Sequence, residues 1–120
     1  MADALALVDD LFFQAKLLET AKQLSVQLRT FSASAPLLSE AVKSAPHVVI
    51  VDLNAKDHPV EAIACLCSKS PGLPIVAFLS HVQTDLADRA RSAGCARVLP
   101  RSQFTRELAT ILLQAKSQPQ

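Results

Sequence analysis

A chain of 120 residues with 12 Lys and Arg against 11 Asp and Glu carries a formal charge of +1, and half of its residues are hydrophobic. These values predict one domain with a sizeable core and exclude a disordered polymer; the balanced charge supplies no global field for nucleic acid or an anionic membrane. The N-terminus lacks the basic flank and long apolar core of a signal peptide, and no apolar run approaches the roughly 20 residues of a membrane span, so the expectation is a cytoplasmic protein.

Ala4-Leu5-Ala6-Leu7-Val8 is an apolar run stopped by Asp9-Asp10, the pattern of a buried strand ending in acid. From Leu11 to Leu24 the positions Phe13, Leu17, Ala21 and Leu24 lie on one face of a helix. Val26, Leu28 and Thr30 alternate with Gln27 and Arg29, which predicts a second strand with one wet face at a sheet edge. Ser34 before Ala35-Pro36 predicts the start of a short second helix with Leu37, Leu38, Ala41 and Val42 inward.

Val48-Val49-Ile50-Val51 runs straight into Asp52, apolar at every position, as a strand covered on both faces requires. After the polar loop Asn54-Ala55-Lys56-Asp57-His58-Pro59, Val60, Ile63, Ala64 and Cys67 keep helical rhythm until Ser70-Pro71-Gly72. Ile75-Val76-Ala77-Phe78-Leu79 is a fourth strand. Thr84 is placed to cap a fourth helix with Leu86, Ala90 and Ala93 inward and Gly94 past its end. Arg97-Val98-Leu99 is a brief fifth strand. Ser102 is placed to cap a last helix built on Phe104, Leu108, Ile111 and Leu112, with a polar tail from about Lys116.

Five strands alternating with five helices on short connections predict an α/β fold, a doubly wound parallel sheet spanning residues 1–120 as one domain. With the alternating strand at an edge, the order is the flavodoxin-like 2-1-3-4-5, which brings Asp9, Asp10 and Asp52 to one crevice at the switch point. Three carboxylates there suit a hard cation such as Mg²⁺, or demand a basic neighbour. Asp9-Asp10 also stand where acids favour the positive end of the following helix, so capping is a second reading.

Cys65, Cys67 and Cys95 are odd in number, and the first two are spaced so that they point to different sides of a helix. Without a histidine cluster or zinc spacing they read as buried, reduced thiols. His47, His58 and His81 lie in separate segments without an evident nucleophile, which argues against a hydrolase. A flavin site needs small phosphate-cradling donors after the first strand, where this chain has Asp9-Asp10-Leu11-Phe12-Phe13.

Val8-Asp9-Asp10, Val49-Ile50-Val51-Asp52-Leu53-Asn54, Pro74-Ile75-Val76-Ala77 and the run from Ala93-Gly94-Cys95-Ala96 through Arg101-Ser102 together resemble the receiver domain of bacterial two-component response regulators. The resemblance covers essentially the whole chain. It implies that Asp52 is the phosphoacceptor position, loaded by a histidine kinase or small phosphodonor. It further implies that Asp9, Asp10, Asp52 and the backbone carbonyl of Asn54 hold Mg²⁺.

Three positions depart from the family pattern. Leu79 stands where a Thr or Ser hydroxyl is usual, with Ser80 one residue on; Val98 replaces the aromatic switch; Arg101 replaces the lysine. Arginine keeps the charge and adds a planar fork able to clamp a carboxylate. The resulting expectation is an atypical or pseudo-receiver in which Arg101 pairs with Asp52, with Mg²⁺ bound weakly or not at all.

The function expected is therefore a stand-alone, non-enzymatic receiver-like module in phosphorelay signalling, with a phosphorylation-independent docking module as the alternative. Its expected partner is a histidine kinase or other signalling protein, not nucleic acid or membrane. A homodimer through the fourth and fifth helices, using Asp88, Arg89, Arg91 and Arg106, is a further expectation.

Overall fold

A computed structural model describes residues 2–80 and 83–116. The elements alternate as β1 (Ala4–Leu7), α1 (Leu11–Gln23), β2 (Leu28–Phe31), α2 (Ser34–Ser44), β3 (Val48–Asp52), α3 (Pro59–Lys69), β4 (Ile75–Leu79), α4 (Thr84–Ser92), β5 (Arg97–Pro100) and α5 (Arg101–Lys116). The strands form one parallel sheet in the order β2-β1-β3-β4-β5. The expected architecture and the edge position of the alternating strand are both observed.

Every residue of β1, β3 and β4 is buried, because helices cover both faces of the sheet. Leu5, Leu7, Val49 and Val51 face Leu37 of α2, Ile63 and Leu66 of α3 and Ala90 of α4. The alternate residues Ala4, Ala6, Val48 and Ile50 face Leu17 of α1 and Phe104, Leu108 and Leu112 of α5. Each fully buried Leu, Ile, Val or Phe contributes roughly 1.5–3 kcal/mol. The α1/α5 side also holds the aromatic cluster: Phe78 stacks on Phe104 with centroids 4.5 Å apart, and Phe13 lies 5.0 Å from Phe78.

Several boundaries differ from those expected. The second strand begins at Leu28, because Ser25 takes a left-handed conformation (φ 58°) and the Val26 N–H turns back to the Ala21 carbonyl, burying Val26 beneath the helix end. Thr84 and Ser102 are helical residues and not caps: α4 is preceded by Gln83 without a side-chain cap, and α5 follows β5 directly. In α4 the buried positions are Ala87 and Ala90, and Leu86 is only partly covered. Val42, expected inward on α2, is exposed.

Gly94 is required where it stands. Its φ is +115°, and a Cβ would come within 2.3 Å of Cys67 Sγ, so α3 and the turn after α4 pack together only without a side chain there. Cys95 is buried as expected, whereas Cys65 and Cys67 are only partly covered; all three are free thiols. His47 and His58 are exposed, while the readings placed on His81 and on the tail beyond Lys116 lie outside the described residues. Among the described residues, no helix is long and apolar enough to cross a membrane.

Candidate functional site: the carboxylates at the carboxyl edge of the sheet

Beyond β1 the chain continues through Val8 to Asp9 and Asp10 before α1 begins. Gln14 of α1 secures this corner by donating from its side-chain amide to the Val8 carbonyl and, at 3.2 Å, to Ser32 Oγ. Asp10 is the N-cap of α1, extended at φ −85° and ψ 113°, with Oδ1 accepting the N–H groups of Phe12 and Phe13 at 3.0 and 3.2 Å. Those two bonds satisfy amides that the first helical turn leaves unpaired. The amide of Phe13 and the Arg101 guanidinium hold the Asp10 carboxyl below its ordinary range.

Asp9 turns the other way, and its Oδ2 accepts the Lys56 N–H at 2.9 Å, tying the end of β1 to the loop after β3. Asp52 ends β3 at 4% exposure, opposite Phe78 in the β3–β4 register. Its Oδ1 accepts the Asn54 N–H at 2.9 Å. Burial pushes the Asp52 carboxyl up; the Asn54 amide and the Arg101 charge oppose that, and the Asp9 and Asp10 charges add to it.

Asn54 does more than the sequence assigned to it. Its Oδ1 accepts the Ser80 N–H at 2.7 Å and its Nδ2 donates to Gln83 Oε1 at 2.8 Å, so one side chain fastens the loop after β3 to the segment after β4. The sequence assigned this residue only a backbone carbonyl; an amide side chain just past a strand end was the available signal. Asp57, which the sequence left unassigned, accepts the Ser34 N–H at 2.7 Å on Oδ2 and the Ser34 hydroxyl on its carbonyl, so this loop also anchors α2.

Arg101, the first residue of α5, reaches the crevice, but its partner corrects the expectation. Nη2 donates to Asp10 Oδ2 at 3.2 Å, and no ion pair joins Arg101 to Asp52. The guanidinium carbon lies 4.1 Å from the centroid of the Phe13 ring, over its face. The reason is positional: Asp10 and Phe13 share the first turn of α1, beside α5, and offer an acid and a ring to one planar group.

Leu79 is buried against the α2–α4 side of the sheet, while Ser80 is exposed and held by its backbone. Leu79 and Val98 line a cavity of about 210 Å³ between α4 and β5, with Ala87, Leu99 and Pro100. On α4, Arg91 pairs with Asp88 of the same helix at 3.2 Å.

As arranged, with the Arg101 guanidinium on Asp10 Oδ2, the donor set does not fit a hard divalent ion. Each of the three carboxylates already accepts a backbone N–H, and Asp10 also holds a guanidinium. Among the described residues, no group of three or more His, Cys, Asp or Glu side chains is arranged to hold a metal.

Comparison with protein-family models gives no match, and comparison with curated proteins gives none. Solved structures match over nearly the whole chain. The receiver domain of NtrX from Brucella abortus aligns with a TM-score of 0.81 at 17% identity, covering 97% of this chain and 100% of that one. The chemotaxis protein CheY4 from Vibrio cholerae aligns with a TM-score of 0.81 at 20% identity, covering 95% and 97%. The beryllofluoride-activated NtrC4 receiver domain, solved as a dimer, aligns with a TM-score of 0.78 at 14% identity, covering 93% and 97%. The chain therefore has the receiver-domain fold.

Proposed function

We propose that this protein is a receiver-like signalling module of a phosphorelay, with Asp52 at the phosphoacceptor position and an altered switch. The observation that carries the reading is the placement of Asp52: a nearly buried carboxylate ends the central strand, beside Asp9 and Asp10 and within the field of the Arg101 cation. Phosphoryl transfer asks for positioning of the nucleophile and for positive charge against the developing negative charge. In this reading an oxygen of Asp52 attacks the phosphorus of a phosphohistidine or small phosphodonor and forms an acyl phosphate as the donor departs. The module passes a signal and is not itself an enzyme with turnover. Incubation with acetyl phosphate, followed by mass spectrometry, tests this: one added phosphoryl group, absent from Asp52→Asn, is the expected result.

A second reading, docking without phosphorylation, is favoured by one specific arrangement. Arg101 is held on Asp10 and Phe13, and neither a hydroxyl at Leu79 nor a ring at Val98 is present to follow a change at Asp52. Leu11 and Phe12 meanwhile stand 73% and 90% exposed on the rim of the crevice, an apolar contact for a partner that approaches Asp52. That partner is a histidine kinase or another protein of the same relay. Partner binding that is unchanged by Asp52→Asn and lost in Phe12→Ala selects the docking reading. A homodimer belongs to the proposal on the likeness to the NtrC4 receiver domain, which was solved as a dimer, with α4 and α5 as the face expected for it, and solution mass tests it.

A further inference from the structure

Arg101 makes two contacts, one with an acid and one with a ring that is itself packed on the core. Its Nη2 bonds to Asp10 Oδ2 at 3.2 Å, its guanidinium carbon lies 4.1 Å from the centroid of the Phe13 ring, and the Phe13 ring centroid lies 5.0 Å from that of Phe78 and 6.1 Å from that of Phe104. The rings of Phe78 and Phe104 are fully buried, so the floor under the guanidinium is part of the core. Asp10 is equally constrained, because its Oδ1 is spent on the Phe12 and Phe13 amides and only Oδ2 faces the crevice.

A divalent cation entering here needs carboxylate oxygens that converge on it, together with retained waters. It would have to displace a charge-assisted hydrogen bond and a guanidinium that lies over an aromatic ring. Two positive charges on one carboxylate oxygen repel, so the two cations exclude each other.

We infer that the Arg101 guanidinium is the resident cation of this crevice, holding Asp10 where a divalent metal would otherwise bind, and that it sets the metal affinity of the site. The guanidinium offsets one charge of the acidic cluster, on Asp10, without an exchangeable ion. This holds whether or not Asp52 accepts a phosphoryl group, and the test contains no phosphodonor.

The chain has no Trp or Tyr to report binding by fluorescence, so the measurement is amide NMR of the full, ¹⁵N-labelled chain titrated with MgCl₂ at constant ionic strength. Trace MnCl₂, which broadens signals near a bound ion, is the companion probe. Wild type is expected to show shifts that do not saturate in the low millimolar range. Arg101→Met keeps an apolar stem over Phe13 and removes the charge; it is expected to bind Mg²⁺ at least tenfold more tightly, with manganese broadening centred on Asp9, Asp10 and Asp52. Equal affinity of the two proteins overturns the inference. Selective broadening of those three amides in wild type by substoichiometric Mn²⁺ overturns it as well, a result that needs no variant to fold.

Discussion

One Asp10 carboxylate joins two helices whose contacting residues are 91 positions apart: Oδ1 accepts the first amides of α1, and Oδ2 accepts the Arg101 guanidinium that begins α5. The two oxygens perform separable tasks. Asn at this position preserves the cap, since Asn and Asp are equivalent N-caps, but gives up the charge opposite Arg101; Ala gives up both. Thermal midpoints should therefore fall in the order wild type, Asp10→Asn, Asp10→Ala. Added salt should narrow the gap between wild type and Asn while leaving the gap between Asn and Ala.

Asp52 makes a contribution of opposite sign. Its folded carboxyl is pushed above the ordinary value of 3.8 mainly by burial, so between that value and the raised one the folded chain holds a proton that the unfolded chain has released. Stability from this group is fully present below pH 3.8 and is lost as pH rises through the folded value. Asp52→Asn removes that loss. The difference in thermal midpoint between Asp52→Asn and wild type should be smallest in acid, grow as pH rises through this window and level off above it.

The side chain of Asn54 is the fastener between the loop after β3 and the segment after β4. Replacement by Asp keeps the acceptor for the Ser80 N–H and loses the donor to Gln83; replacement by Ala loses both. With a neutral hydrogen bond contributing about 1 kcal/mol, hydrogen exchange at the Ser80 amide should quicken by roughly five- to tenfold in Asn54→Ala and remain near wild type in Asn54→Asp.

Gly94 faces two separate obstacles to any side chain, its φ of +115° and the Cys67 Sγ at 2.3 Å from an added Cβ. Gly94→Ala should cost more than about 1 kcal/mol in denaturant unfolding. Adding Cys67→Ala removes the sulfur but leaves the backbone conformation and the Cys67 Cβ at 3.1 Å. The double variant should recover part of the loss and not all of it, a coupling that a double-mutant cycle reads directly.

The sequence by itself determined the strands, their order and the edge at which Asp9, Asp10 and Asp52 stand, because these follow from local rules. Continuous apolar runs such as Val48 to Val51 suit strands covered on both faces, and the alternation in Leu28 to Thr30 suits an edge. Helix ends were less legible: Thr84 and Ser102 have the chemistry of caps, but where a helix starts depends on how the preceding strand delivers the chain. Tertiary structure alone decided what the polar side chains do. Arg101 has a long reach and several acids within it. Its choice of Asp10 over Asp52 rests on the docking of α1 against α5, which sets an acid and the Phe13 ring side by side beneath one guanidinium. Periodicity along the chain encodes which face a residue occupies; it carries no information on ångström-scale distances between elements remote in sequence, and those distances select the partner.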